Sequence, residues 1–513
     1  MRYRKLSCSG LLVLVLATAG QSAMAQAVYR MTDLGSLGKG SYGVALNASG
    51  QATGTSTPSC TPPCSVTSHA FFWGNNGSPM QNIGPPASDV YSAAAGINNS
   101  GQVAGTFNPN QQYDRAFIWA NDGTPLRDLG TLSGTGSHGE AINNSGQVTG
   151  RATLAGDTTE HAFSWANNGT AMRDLGTLGG KFSEGVAINN AGQITGHAAT
   201  GHGNTYPYHA FLWRNNGTPM QDLGDLGADE SYGIAINETG QVAGYSRHTV
   251  SAPFHVFLWK NDGTPMQDIG DLAGHGSYPV AINNAGQVAG NSCTQNCSFN
   301  HAFLWRNDGT AMVFLGTLGG HDSTALAMNN SGQVTGSSST AAGNGFTRAF
   351  LWRNDGTKLQ DLNNLIDPAD PLKSYVTLYR GDAINDGSQI LADGIDSRTG
   401  QTHAYFLQGT VLTLMPRSLA FGNQKVNTVS AAKPVTMTNT SSSAVAITSI
   451  VLKGANPTQF SFTSNCGKSL AAKASCKINM SFKPTAKGAK SAALNVNGGG
   501  GGLRSVSVTG TGI

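Results

Sequence analysis

Six of the seven cysteines, all but Cys8 near the start, a recurring histidine and a recurring aspartate are the side chains of this 513-residue sequence with the most obvious capacity for chemistry. Cys60-x3-Cys64 and Cys293-x3-Cys297 have the spacing of half a zinc site. A structural zinc needs four ligands, and neither loop offers a second pair nearby. With Cys466 and Cys476 they make three close pairs, which in an exported chain points to disulfides. Rings this small remove little chain entropy, so their expected effect is to stiffen loop tips. His69, His161, His209 and His301 each open a His-Ala-Phe run and His255 opens His-Val-Phe, whereas Arg115 and Arg348 hold the same place in other copies. A position that exchanges imidazole for guanidinium cannot depend on titration near neutrality, so these groups are expected to be hydrogen-bonded strand starts. Asp128, Asp174 and Asp222 recur in Asp-Leu-Gly and are expected to cap turns or strand ends. Outside the repeat consensus stand Glu140, Glu184, Glu230 and His275, which spacing alone joins into no constellation. Serine-nucleophile elbows, phosphate loops, zincin helices and EF-hand spacing are absent. The Asn-Asp-Gly turns resemble fragments of a calcium loop, but hairpin geometry explains them without an ion. The sequence therefore assigns no catalytic, cofactor-binding or metal residue, and no cofactor is expected.

The elements that would position these groups come from a repeat. Trp73, Trp119, Trp165, Trp213, Trp259, Trp305 and Trp352 are separated by 46, 46, 48, 46, 46 and 47 residues, a regularity that outranks any local motif. Around them recur Ala-Phe-Leu-Trp, Met-Gln-Asp-Leu-Gly, Gly-Ile-Ala-Ile-Asn and Gln-Val-Ala-Gly, four strand-length runs bounded by Asn, Asp and Gly. From each Trp to the next repeat Gln the distance is 28 or 29 residues, but from Gln to the next Trp it ranges from 17 to 22. A double hairpin is thus fixed, and the loop between one unit's last strand and the next unit's first strand varies. Both C-x3-C pairs fall in that loop. After Trp352 the interval to Gln389 is 37 residues, because an insertion around Asp367-Pro368-Ala369-Asp370-Pro371 lengthens the other connection.

A degraded eighth copy carries Ala383-Ile384-Asn385, Gln389 and His403 to Leu407, with Leu in place of Trp. One extra copy of the Met-Gln-Asp-Leu-Gly strand, Arg30 to Gly35, precedes all others, while Gly409 to Leu412 is expected to close the last unit. Such an overlap suits a ring in which a terminal strand pairs across the seam and removes exposed edges. The expected fold class is all-β, an eight-bladed β-propeller built from about 46-residue repeats; a β-solenoid is the main alternative.

The His-Ala-Phe runs give residues 28 to 415 a likeness to a known group: this stretch resembles the HAF-family bacterial extracellular repeat proteins. That resemblance implies export and leaves the activity open. Beyond Leu414 the text changes to Leu419-Ala420-Phe421-Gly422, Val435 to Thr440, Cys466, Cys476, Phe482-Lys483-Pro484 and Val508 to Gly512. This order is similar to the choice-of-anchor D domains, related to the ASPM, SPD-2 and Hydin immunoglobulin-like modules. Alternating strands and a glycine-rich turn at Gly498 to Gly502 agree with an immunoglobulin-like β-sandwich. The domains expected are a signal peptide over 1–25, a propeller over 26–415 and a sandwich over 416–513.

Arg2, Arg4 and Lys5, an apolar run from Leu11 to Ala19 and Ala23-Met24-Ala25 form the three parts of a secretory signal, with cleavage expected after Ala25. The apolar run is too short to span a bilayer, and no later segment is apolar enough. Residues 26–415 carry 17 basic and 28 acidic side chains; 416–513 carry eleven basic and no acidic ones. So basic a module would adhere to anionic envelope surfaces, dock on the acidic repeat domain, or simply stay soluble; export argues against nucleic acid. The leading expectation is an exported, non-enzymatic, monomeric binding protein of the envelope or extracellular space. Its ligand would be a polysaccharide or an anionic envelope component, held by the variable loops. The alternatives are a propeller hydrolase or lyase acting on glycans or related polymers, and a structural surface or matrix component.

Overall fold

The computed structural model describes residues 29–58, 68–85, 90–109, 111–201, 207–272, 274–294, 298–341, 343–409, 412–439, 444–498 and 502–513. The signal segment, Cys60, Cys64 and Cys297 lie outside the described residues. Val28–Thr410 forms one compact unit, and Val411–Ile513 belongs to another.

The first unit is eight four-stranded antiparallel sheets. Blade four is typical: Ser183–Ile188, Ile194–Ala199, Tyr208–Trp213 and Gln221–Asp222 pair in sequence order. The Ala-Ile-Asn strand is innermost, because the turns that follow it in seven blades, from Asn47 to Asn385, line one cavity of about 360 Å³. The phase of the repeat differs from the sequence expectation. The variable loop lies inside each blade, between its second and third strands, and the constant connection after Asp-Leu-Gly is the crossover to the next blade. A period fixes the length of a unit but not where it starts. Pairing does: Gly244 of the second strand faces Gly233 on one side and Phe257 on the other.

The ring closes through a side-chain circuit. In each Asn-x-x-Gly-Gln turn the buried Asn holds its own turn: Asn237 Oδ1 accepts from the Gln241 and Thr239 amides at 2.9 and 3.1 Å, and Nδ2 donates to Gln241 Oε1 at 2.8 Å. The second Nδ2 hydrogen goes to the neighbouring blade, from Asn237 to the Asn283 carbonyl at 3.1 Å. The same bond runs from Asn47 to Asn98, Asn98 to Asn143, Asn143 to Asn189, Asn189 to Asn237 and Asn329 to Asn385 at 2.9 to 3.1 Å. Asn283 reaches the Asn330 carbonyl instead, at 3.5 Å. Asn385 then returns to the Asn47 carbonyl at 2.9 Å. A solenoid would leave its first and last turns apart, whereas here they are bonded. Gly holds the fourth turn position in seven blades, where φ is positive, +78° at Gly240, and a Cβ would sit 2.7 Å from Asn261 Nδ2; in blade eight Ser388 takes that place at +57°.

Apolar contacts fill the space between blades. Ala210, Leu212 and Leu223 of blade four pack with Val242, Phe257, Trp259 and Met266 of blade five. Every repeat Trp is nearly buried, and guanidinium groups of the preceding blade cover several of them, as Arg173 covers Trp213 at 5.1 Å. This wedge is what the tryptophan period records.

At the seam, Tyr29–Asp33 is the fourth strand of blade eight, pairing with Gln401–Gly409 from Tyr29↔Gly409 to Asp33↔Tyr405. Gly409 to Leu412 does not close the unit as expected. Leu412–Met415 pairs instead with Lys433–Asn439 of the second unit, so the division falls near 410–411 and not at 415–416. With the N-terminal strand already filling the outer position, the C-terminal chain is free to begin another sheet. The insertion has a role here: Asp370 Oδ2 accepts from the Met31 amide at 2.8 Å, and the Asp367 amide donates to the Tyr29 carbonyl at 2.8 Å. It satisfies the free edge of the closing strand. Blade eight also buries Asp382 and Asp393, and Asp393 Oδ1 accepts from the Gly43 amide across the seam at 2.9 Å. Burial, then the Asp393 charge, holds Asp382 well above the ordinary carboxylate range; burial holds Asp393 at about 7. Arg380 Nε approaches Asp382 Oδ1 at 2.7 Å, but neither oxygen of Asp382 receives a well-directed hydrogen bond, so the half-exposed guanidinium offsets the burial only in part.

The second unit is a sandwich of a four-stranded and a five-stranded sheet. Val435, Met437, Ile478, Met480 and Phe482 from one sheet and Leu494, Val496, Val506 and Val508 from the other share one core, the alternation expected of strands with one buried face. Ser418–Gln424 runs parallel to the last strand, Gly502–Gly512. Cys466 and Cys476 form a disulfide; Cys293 is disulfide-bonded as well.

Two stability predictions follow from the ring and the seam, both read by tryptophan fluorescence in urea, since all seven tryptophans belong to the repeat. Asn237→Ala leaves several buried partners unsatisfied and lowers stability by about 2–4 kcal/mol, against under about 1 kcal/mol for the exposed Asn144→Ala; equal losses would remove the ring's special role. For Asp382 and Asp393 the folded pKa is raised, so their contribution is fully present below the unfolded value of about 4 and is lost as pH rises through about 7. Asp382→Asn should therefore stabilise the propeller at pH 8 by on the order of 1–2 kcal/mol and change little near pH 4. An unchanged urea midpoint at pH 8 would contradict the assignment.

Candidate functional site

The two ends of the propeller differ in chemistry. One carries the asparagine turns, where backbone and carboxamide groups bond mainly to each other. The other gathers the crossovers, the variable loops and the starts of the inner strands. Tyr42, Tyr91, Tyr113, Tyr278 and Tyr375 are more than a third exposed, and all five belong to this second end. Val250, exposed in a variable loop, and Phe346, exposed near the start of the strand Gly343–Trp352, add to it.

Strand register explains the grouping. The residue after the inner-strand serine faces a second-strand residue across one hydrogen-bonded ladder: His138 faces Arg151, Glu184 faces His197, Tyr232 faces Tyr245 and Tyr278 faces Asn291. Opposed residues share a sheet face. Each second-strand side chain then reaches the next blade's inner strand. Arg151 pairs with Glu184, the His197 ring lies 5.1 Å from Tyr232, and Tyr245 lies 5.0 Å from Tyr278. The result is a continuous row over blades three to six. Tyr208 and Phe254 flank it, Phe254 standing edge-on to Tyr245 at 5.0 Å.

Charge within the row is largely compensated. Arg151 serves three carboxylates, Glu184, Glu160 at 3.4 Å and Glu140 at 3.9 Å. Burial, then the Glu184 charge, raises the Glu140 carboxyl above its ordinary value. Burial also lowers His138 and His197, which favours the neutral imidazole in both. One blade further, Arg247 pairs with the buried Glu230 and lies 4.9 Å over the Phe254 ring, while the Tyr232 hydroxyl donates to Glu230 at 3.0 Å. The arrangement offers flat apolar faces edged by oriented hydrogen-bonding groups. It has the makings of a recognition surface more than of a proton-transfer site, because each carboxylate already answers to a guanidinium.

Of the residues singled out from sequence, Glu140 and Glu184 are brought together on Arg151, and Glu230 joins the same row through Tyr232. His275 lies in the crossover before Ser277–Ile282, outside the row. The tyrosines went unrecognised because their positions are unremarkable until the blade phase is known. A signal existed: inside an otherwise repetitive strand, the place after the serine reads Tyr42, Ala93, His138, Glu184, Tyr232, Tyr278 and Thr324 in successive copies, and in the eighth, where Tyr379 replaces the serine, Arg380.

The His-Ala-Phe histidines prove to be strand-start groups that bond the outer strand. His161 Nδ1 meets Asp174 at 2.9 Å, His209 meets Asp222 at 2.9 Å and His403 meets Asp33 across the seam at 2.9 Å. Where the partner is Asn82, His69 bonds the carboxamide at 2.9 Å; where it is Phe314, His301 stacks on the ring at 4.2 Å. The Asp of Asp-Leu-Gly also caps its turn, as Asp174 Oδ1 accepts from the Gly176 amide at 2.7 Å. Two such pairs gain further ligand-type groups and could hold a cation: His248, His255 and Asp268, and His209, Asp225 and Asp229. Among the described residues, no helix is long and apolar enough to cross a membrane.

No protein-family model and no curated protein matches the chain. Among solved structures, the chain is similar to a prolyl endopeptidase from a study of two such enzymes, with 8% identity, 80% of this chain and 55% of that one covered, and a TM-score of 0.45. It is similar to Porphyromonas gingivalis dipeptidyl peptidase 4 with 12% identity, 68% and 56% coverage and a TM-score of 0.41. The ASH/PapD-like domain of human CEP192, PapD-like domain 7, matches 20% of this chain over 86% of its own length, with 15% identity and a TM-score of 0.18. The chain spans about half the length of the two peptidases. The architecture itself is carried by strand order and register: eight four-stranded propeller blades, then an immunoglobulin-like β-sandwich.

Proposed function

We propose that the chain is an exported, non-enzymatic binding protein of the HAF-repeat kind that holds a polysaccharide on the variable-loop end of its propeller, with a choice-of-anchor D module as its second domain. The observation that carries this reading is the aromatic row from Tyr232 through Tyr245 to Tyr278, bordered by Glu230 and Arg247. Pyranose rings present flat C–H faces that pack on aromatic rings and rims of hydroxyls that bond carboxylates and guanidinium groups. A row of rings about 5 Å apart with charged groups at its edge meets both needs. Loops of unequal length around it would set which polymer fits. The pairing of Glu184 with Arg151 and of Glu230 with Arg247 favours binding over hydrolysis, since glycoside cleavage needs, beside a carboxyl that donates a proton, a second one free to attack or activate water. The sandwich, with eleven basic and no acidic side chains over 416–513, would add salt-sensitive adhesion to anionic polymers.

The test is titration of the chain from residue 26 onward with neutral and acidic polysaccharides, at low and high salt, beside Tyr278→Ala. One aromatic platform lost should weaken binding at least about fivefold at an unchanged thermal midpoint, and the propeller's share of binding should survive high salt. Silence from every polymer, or equal affinity of the variant, would remove the proposal. New reducing ends appearing during incubation would move the assignment to a hydrolase.

A further inference from the structure

The group formed by His248, His255 and Asp268 differs from every other His-Asp pair described in the repeat. In blades three and eight a single imidazole meets the Asp-Leu-Gly carboxylate, His161 on Asp174 and His403 on Asp33, and a simple N–H donation satisfies both groups. At Asp268 two imidazoles converge. Asp268 Oδ1 is occupied by the Gly270 amide at 2.7 Å, and Oδ2 faces His255 Nδ1 at 3.0 Å and His248 Nε2 at 2.8 Å. His255 comes from the scaffold strand, His248 from the variable loop.

The other ring nitrogens decide what this means. His248 Nδ1 stands 3.0 Å from the Leu226 carbonyl, an acceptor that never donates, so Nδ1 carries a proton, and Nε2 is the nitrogen turned toward Asp268, free to exchange the proton it shares there for a metal ion. His255 Nδ1 faces the same Asp268 oxygen from the scaffold strand at 3.0 Å, and its Nε2 lies 3.9 Å from the buried Asp271 Oδ2, beyond hydrogen-bond reach. Three ligand-type atoms converge on one point, where they can share protons or a metal ion. An acceptor on the far nitrogen, as the Leu226 carbonyl is for His248, is the usual accompaniment of a metal-ligating histidine.

We propose that His248 Nε2, His255 Nδ1 and the Asp268 carboxylate bind a divalent transition metal of the zinc class, leaving a coordination position open to solvent at the variable-loop end. The two-nitrogen, one-oxygen set suits zinc, nickel or copper and not calcium or magnesium. The ligand atoms lie within 4.8 Å of one another; tetrahedral zinc places its ligands about 3.3 Å apart, so the closest contacts need open by only a few tenths of an ångström. His209, by contrast, has both nitrogens on carboxylates, Asp222 at 2.9 Å and Asp229 at 3.0 Å. It is an imidazolium held by acids, without a second nitrogen ligand.

The experiment is calorimetric titration of the tag-free, chelator-treated chain with Zn²⁺, paired with the visible spectrum of the Co²⁺ form. One equivalent should bind, the Co²⁺ spectrum should be that of low coordination with nitrogen ligands, and affinity should fall at least about tenfold between pH 7.5 and 6 as protons compete. His248→Gln, in an exposed loop, and Asp268→Asn should each weaken binding tenfold or more, with Asp229→Asn unchanged. Absence of saturable Zn²⁺ binding by the unvaried chain, or equal affinity of His248→Gln, would overturn the assignment, as would loss of binding in Asp229→Asn alone.

Discussion

The structure depends on one small constraint, the second amide hydrogen of the turn asparagine. A carboxamide has two donors and one strong acceptor. In each repeat the acceptor and the first donor close the turn on itself, and the second donor is left over. Burial forbids it from staying unpaired, so it must find a carbonyl, and the nearest one belongs to the next blade. Eight repetitions bring the last donor, Asn385, to the first carbonyl, Asn47. The inner strands are thereby indexed to each other at one end, whatever happens at the other.

Freedom at the variable-loop end is the consequence. With blades located by the asparagine circuit and by wedges such as Trp259 against Leu212 and Leu223, loop length between second and third strands has no structural duty, and changing it costs little chain entropy. Inner-strand side chains near that end are similarly released. Tyr, His, Glu, Thr and Ala all occupy the place after the serine, because that place faces neighbours in the row and not the inter-blade core. The seam obeys different rules. There the circuit is bonded, but the outer strand is borrowed from the N-terminus, and its open edge needs the Asp367–Asp370 insertion to satisfy it. Blade eight also holds two buried carboxyls: Asp382 stands where blade three has the partly buried Glu140, and Asp393 where blade three has Arg151.

Much of this was legible in the sequence because the periodic part of a repeat protein is written many times. Seven tryptophans gave the period, the two turn types gave four strands, and the solitary Arg30 to Gly35 strand implied a closing overlap. Phase was not legible, since a cyclic pattern has no marked origin; only the pairing of Gly244 with both Gly233 and Phe257 supplies one. That ambiguity placed Gly409 to Leu412 in the last blade, though Leu412 in fact faces Asn439 of the sandwich. The aromatic row was hidden for a related reason. Tyr232, Tyr245 and Tyr278 come from three strands of two blades, and their proximity is a product of register, not of spacing. Glu140, Glu184 and Glu230 were visible as exceptions to the consensus, but that two of them share Arg151 required the lateral contact between blades.

Repetition also alters how a site can arise. In a fold without repeats, a three-ligand cluster demands that three positions be fitted to each other from nothing. Here the scaffold already aims an imidazole at a carboxylate in blade after blade, as His161 and Asp174 or His403 and Asp33 do for purely structural reasons. One additional side chain from an adjoining loop changes the character of such a pair. His248 does so because the Leu226 carbonyl orients its ring, which brings a second imidazole nitrogen to Asp268 beside His255. The loops are thus more than coverings of variable length: in blades three, four, five and eight the loop leads into a pre-oriented His-Asp pair, and a single residue in it decides whether that pair remains an element of the frame or becomes a ligand set.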